Sequence, residues 1–194
     1  MDRKALLLIS IIVEGGLFVI GLLLIGGLDS FLSRFNVSWD ATAYSLLLCL
    51  PLFAMLYLEE RSQWSPLVRL KEEVDEKVAP IFANCNIIDL VVIALLAGMG
   101  EELLFRGWLQ GALSFRLGVL TGILIASVIF GFAHYLSPAY AFYAGLTGLY
   151  LGIIYQVSGN LYIVMAIHAV YDIVAMVYLV KKNRGKEIEL HAVG

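Results

Sequence analysis

Residues 98–110 read GMGEELLFRGWLQ and fall inside an apolar run, Ile87 to Leu113, that is otherwise long enough to cross a membrane. Taking that run as a membrane span decides the fold class and raises the chemical question of the chain. Glu101, Glu102 and Arg106 stand where lipid is expected. A charged side chain at the centre of a membrane helix costs roughly 2.5 to 3.5 kcal/mol on insertion scales, so this group needs either partners or a function.

The rest of the chain supports the membrane reading. Of its 194 residues 61% are hydrophobic and only 15% charged, and the mean hydropathy of +0.88 is far above what a soluble domain needs. Six apolar runs approach the roughly 20 residues of a spanning helix: Ala5 to Leu28, Ala41 to Leu58, Ile87 to Leu113, Leu117 to Leu136, Ala139 to Val157 and Leu161 to Val180. The expected fold is therefore all-α, a polytopic bundle of about six transmembrane helices. The first run follows Arg3 and Lys4 like a signal peptide, but it is too long and ends in Leu28 and Asp29 without a cleavage pattern, so it is taken as an anchor.

Cations set the expected orientation. Arg3, Lys4, Arg61, Arg69, Lys71, Lys77, Lys181, Lys182, Arg184 and Lys186 share one side of a six-span arrangement, with Arg34 and Arg116 on the other and Arg106 within a span. That asymmetry predicts cytoplasmic termini in an integral cell-membrane protein. No basic patch suggests nucleic acid, and membrane lipid is the partner that composition predicts; the sequence leaves the oligomeric state open. Cys49 and Cys85 lack metal or redox spacing and read as packing residues.

One membrane domain, 1–194, is expected. Two variable N-terminal spans (1–58) precede a polar connector (59–80), four helices (87–180) and a charged tail (181–194). In the connector EERSQWSPLVRLKEEVDEKVAP, Leu67, Leu70, Val74 and Val78 recur at helical spacing, which predicts a short amphipathic helix on the cytoplasmic surface. A solvated linker is the plainer reading of it and substrate gating the sharper one. Gly148 and Gly152 form a GxxxG that suits close helix packing.

Spacing offers a partial answer for the buried charges. Glu102 precedes Arg106 by four residues, the favourable order for an ion pair on a helix, whereas Glu101 lies about 100° further around and is left available. Two of the three histidines also fall in apolar runs: His134 in FGFAHYL and His168 in AIHAVYD. Asp172, one turn after His168, can fix its tautomer or share a ligand site. Phe130, one turn before His134, can wall that ring from lipid. Glu14 is a lone acid in the first run and reads as a helix-packing or cavity-facing residue.

EELLFR, FGFAH and HAVYD together resemble, in order, the EExxxR, FxxxH and HxxxN/D motifs of the CAAX protease and bacteriocin-processing family of intramembrane peptidases, over about Ile87 to Val180. The family includes the endoprotease that trims prenylated CAAX proteins and peptidases linked to bacteriocin maturation and immunity. The resemblance implies a peptidase, with a peptide or membrane-protein substrate as its partner, in which Glu101 is the general base, His134 holds the same water and His168 donates to the oxyanion. Glu102, Arg106 and Phe130 would support them. The last motif position, often Asn, is here Asp172; an ionised Asp cannot donate a hydrogen bond, so it either orients His168 or helps bind a metal. Glu101, His134, His168 and Asp172 are donor types that zinc accepts. The favoured expectation is a glutamate mechanism with no cofactor, and zinc is the alternative.

Two other classes compete: a non-proteolytic immunity or scaffold protein of the same family, and a small proton or ion transporter, which would favour repeated halves that the sequence lacks. Depth supplies a geometric test. Glu101 and His168 lie roughly 18 to 21 Å from the cytoplasmic ends of their spans, whereas His134 lies near the end of its own. If the three work together, Tyr135 to Tyr140 must be sunk below the surface as the wall of a funnel open to the cytoplasm.

Overall fold

The computed structural model describes residues 2–193, with side chains for residues 2–185. Lys186 and the side chains of the tail beyond it therefore lie outside the described set. Every regular element among the described residues is a helix. The first is α1, Arg3–Leu24. Gly26 and Gly27, at φ 96° and 93°, then turn the chain into a short α2, Leu28–Leu32. Ser38 caps the next helix by accepting a hydrogen bond from the Ala41 amide; this is α3, Trp39–Arg61.

The amphipathic connector forms α4, Ser65–Phe82, which meets α5, Ile87–Leu117, at a bend of 109°. Asn86 and Asp89 form a reciprocal capping box that starts α5 sharply after the bend. Gly118, at φ 88°, separates α5 from α6, Val119–Ala133. Ser137 then caps α7, Pro138–Ser158, and left-handed Gly159 ends it before α8, Leu161–Val193.

The centre of the bundle is α8, which packs on α5 and α3, while α1 lies along α5 and α6 packs on α7 and α5. Leu103, Leu151, Leu161, Val164 and Ile167 are fully buried at its middle. Outside, large apolar side chains such as Ile12, Leu23, Leu120 and Val157 are exposed, as lipid contact requires. Three helices, α1, α3 and Leu161–Gly185 of α8, are long and apolar enough to cross a membrane, or four spans if α4 and α5 count as one broken span. The expected number of six is not reached on length and composition. Charges interrupt α5, the Tyr- and Gly-rich α7 is less apolar, and α6 has only 15 residues.

The cations do gather. Arg3 forms a two-pronged pair with Asp89 at 2.6 and 2.8 Å, Arg184 donates to the carbonyls of Ala83 and Cys85, and Lys182 bridges Glu60 and Asp75. All of these stand at the end of the bundle where α1 and α5 begin. Arg34 works at the other end of α5, donating to the Gly107 carbonyl. Cys49 and Cys85 are free and buried, and burial pushes the Cys85 thiol up, as suits packing residues.

Candidate active site

The site begins with a departure from α-helical spacing. Residues Leu103–Gln110 of α5 are wound as π-helix, directly after Glu101 and Glu102. Such widened turns recur at functional sites because they re-aim side chains that a regular helix would spread around its axis. The expected Glu102–Arg106 pair forms within this stretch, at 2.8 Å, with both side chains buried. Arg106 also donates to the Gly148 carbonyl at 2.9 Å, and its guanidinium lies 4.4 Å from the centre of the Phe130 ring. Gln110 donates to the Gly152 carbonyl in the same way, at 3.0 Å. The GxxxG stripe of α7 thus brings helices close, and its carbonyls accept from two buried side chains of α5. A Cβ at Gly148 would press on Phe130, and one at Gly152 on Gln110.

Glu102 does more than neutralise Arg106. The same carboxylate oxygen, Oε1, accepts from His168 Nδ1 at 2.7 Å, so Glu102 joins α5 to α8. On the other side of the ring His168 Nε2 lies 3.4 Å from Asp172 Oδ2. Orientation of His168 therefore falls mainly to Glu102, with Asp172 as the looser partner. A ring that faces carboxylate oxygens at both nitrogens can donate to both only when doubly protonated. Arg106 and His168 then balance Glu102 and Asp172 in charge, which is how so many ionisable groups can be held in an apolar bundle.

His134 stands at the end of α6. The helix stops at Ala133, earlier than the apolar run through Leu136 predicts, and the His134 amide turns back to Gly131. The Phe130 carbonyl then meets the imidazole at Nδ1, 2.9 Å away. A carbonyl only accepts, so Nδ1 carries a hydrogen and Nε2 is the nitrogen offered to the site. That Nε2 is 3.3 Å from Glu101 Oε2, in ion-pair range but without hydrogen-bond geometry. Glu101, which its position on the helix left available, thus faces His134. The early end of α6 is what brings this ring to the depth of Glu101.

Phe130 packs between these groups, 4.5 Å from the His134 ring centre and 6.1 Å from that of His168. Two facing pairs result, Glu101 with His134 and His168 with Asp172, and one aromatic ring touches both imidazoles. No three His, Cys, Asp or Glu side chains among the described residues converge as a metal site requires. The four zinc-type donors do not fit a closed metal centre.

A cavity of about 270 Å³ reaches His134, His168 and Asp172. Its roof is the connector: Leu70, Val74 and Val78 line it from α4, with Lys71 and Asp75 beside them. The amphipathic face expected on the membrane surface therefore covers the site. Tyr140, Tyr143, Tyr171 and the buried Glu59 line the same space. Tyr140 ends the Tyr135 to Tyr140 segment expected to wall a funnel, whereas sequence reasoning missed Tyr143, Tyr171 and Glu59, because a tyrosine or a helix-terminal glutamate in an apolar chain carries no signal of which cavity it will enter.

Glu14 of α1 packs its backbone against Gly100, next to Glu101. It lies within electrostatic reach of Glu101, His134, His168 and Asp172. It is not among the residues that line the cavity, and its Oε2 is buried with no hydrogen-bond partner.

An all-helical membrane bundle with ionisable side chains converging beneath a polar cap defines the class. Within it, residues 83–174 match the family described as "Type II CAAX prenyl endopeptidase Rce1-like". The match is in keeping with the resemblance to the CAAX protease and bacteriocin-processing family, and the matched residues include Glu101, Glu102, Arg106, Phe130, His134, His168 and Asp172. The chain is also 34% identical over 97 residues, 48% of its length, to the uncharacterized protein YpbD of Bacillus subtilis (strain 168). It spans about half of that relative's length, the match covering 47% of it. No solved structure matches.

Proposed function

We infer that the protein is an intramembrane endopeptidase that hydrolyses a peptide bond near the membrane surface with water activated by Glu101 and His134. The observation that carries this reading is the pairing of Glu101 Oε2, which has no hydrogen-bond partner, with a ring nitrogen 3.3 Å away. A water seated before both gives one hydrogen to the carboxylate and the other to Nε2, which leaves its lone pair turned outward for attack.

Peptide enters through the cavity beneath α4 and presents its carbonyl carbon to that water. Glu101 takes the proton as the C–O bond forms, and the charge that develops on the carbonyl oxygen meets His168 Nε2–H. The long 3.4 Å contact with Asp172 leaves that N–H able to donate to the substrate oxygen, while Glu102 holds the other nitrogen. Glu101 then returns the proton to the leaving amine as the C–N bond breaks. Asp172 supplies no oxyanion donor here and steadies the ring. The funnel is proposed to open to the cytoplasm, on the side of the clustered cations and both termini.

The test uses purified wild type, Glu101→Ala and Glu101→Gln in liposomes with a library of membrane-adjacent peptides, with and without chelator. Cleavage by wild type alone, unaffected by chelator, is expected. Undiminished cleavage by Glu101→Gln overturns the assignment of the base, and loss of wild-type cleavage on chelation overturns the glutamate mechanism.

A further inference from the structure

The mechanism leaves one buried acid unused. Glu14 is carried by α1, which lies outside residues 83–174. Its Oε2 is shielded from solvent and has no hydrogen-bond partner, and the same is true of Glu101 Oε2. Glu101, His168, His134 and Asp172 all lie within electrostatic reach of Glu14. Arg106 and the two imidazoles act in turn on Glu101.

The juxtaposition is built into the packing. Arg3 of α1 is clamped to Asp89 of α5, and Glu14 meets Gly100 the same number of residues further along, so the two helices run parallel in register. A Cβ at Gly100 would strike the Glu14 carbonyl oxygen, and one at Gly21 the Leu103 side chain. Glycines at these two points let α1 approach α5 directly beside Glu101. A lone carboxyl in this environment is costly and serves no packing need, since an apolar side chain of similar volume would fill the space without that cost.

We propose that Glu14 is a positioning residue of the catalytic centre, acting through Glu101, and that the two carboxyl groups together hold the proton taken from water. The proposal rests on the peptidase reading above. When Glu101 gains the water's proton, the hydrogen has an acceptor in the Glu14 carboxylate, so it is kept in line instead of being lost to the His134 imidazole. It passes back through Glu101 to the nitrogen of the leaving amine as the C–N bond breaks. No proton is gained or lost over the cycle. The catalytic unit of this chain is then larger than its family-matched segment, because α1 belongs to it.

The experiment is a double-mutant cycle of Glu14→Gln and Glu101→Gln in the full-length protein, read by thermal unfolding and by peptide cleavage. Glu14→Gln is expected to unfold at or above the wild-type temperature, because it removes an unpartnered buried carboxyl, while kcat falls about tenfold or more with KM within about twofold. Glu14→Asp is expected to recover part of the lost kcat. The change in unfolding temperature of the double variant is expected to fall short of the sum of the single changes, since the groups act on one another. Additive changes, or a wild-type kcat in Glu14→Gln, overturn the proposal. A lowered unfolding temperature with proportionate loss of active protein assigns Glu14 to packing and also overturns it. If wild type cleaves nothing, the peptidase reading fails and the proposal fails with it, an outcome distinct from cleavage that Glu101→Gln alone abolishes.

Discussion

Replacing Glu102 by Gln should damage stability and catalysis together. One carboxylate oxygen accepts from Arg106 at 2.8 Å and from His168 at 2.7 Å, and Glu102 itself is fully buried. Gln keeps the shape and one acceptor oxygen but removes the negative charge between two cationic donors. Each charged hydrogen bond of this kind contributes about 1.5 to 3 kcal/mol. Leaving the buried Arg106 guanidinium without a counter-charge carries the larger penalty of a broken buried pair, about 3 to 5 kcal/mol in total, because the Gly148 carbonyl and the Phe130 ring satisfy only part of it. Unfolding of the purified protein in mixed micelles, followed by fluorescence of Trp108 on the same π-helical stretch, measures the loss. A Glu102→Gln protein within about 1 kcal/mol of wild type would refute the reasoning, since a buried charge network of this kind cannot lose its shared anion at so small a cost. In the active protein kcat should also fall, because the His168 ring loses its firmest restraint.

Other substitutions separate the remaining parts of the account. Asp172→Asn should keep substantial, chelator-independent cleavage, because Asp172 is the looser partner of His168; loss of cleavage on adding chelator to this variant would restore the case for a metal. Gly131→Ala should lower stability by about 1 to 3 kcal/mol and reduce cleavage, because its Cβ would strike the Ala141 carbonyl and push apart the helices that seat His134; an unchanged melting temperature would contradict the packing. Phe130→Ala should cost about 3 to 5 kcal/mol in the same micelle assay, since the ring packs against Arg106, His134 and His168 at once. Lys182→Met, which releases Glu60 and Asp75, should speed limited proteolysis within residues 59–80 if this contact holds α4 over the cavity; equal digestion rates would show that it does not.

Much of this was legible because it is local. Apolar runs located the helices, four-residue spacing placed Glu102 beside Arg106, and the motif order brought together α5, α6 and α8. What escaped depends on contacts between distant segments or on departures from regular helix. Nothing in EELLFR announces that the turns after Glu102 widen, and helix spacing left Glu101 available without saying how closely it faces His134. The apolar run through Leu136 hid the end of α6 at Ala133, because Tyr135 and Leu136 are as compatible with a helix as with the loop that follows it. Glu102 and His168 are 66 residues apart, and only the folded bundle makes them partners. The connector showed its amphipathic face plainly, but periodicity cannot say whether such a face lies on lipid or over a cavity. The same holds for Glu14, whose neighbours all come from other helices.

The central claim, that Glu101 and His134 activate a water that cuts a peptide bond, is tested most directly by single-turnover cleavage in ¹⁸O-enriched water, with the label located by mass spectrometry. Wild type should yield a fragment whose new C-terminus carries one labelled oxygen, while Glu101→Gln and His134→Ala, both folded, yield none. Labelled product formed at the wild-type rate by Glu101→Gln would contradict the account.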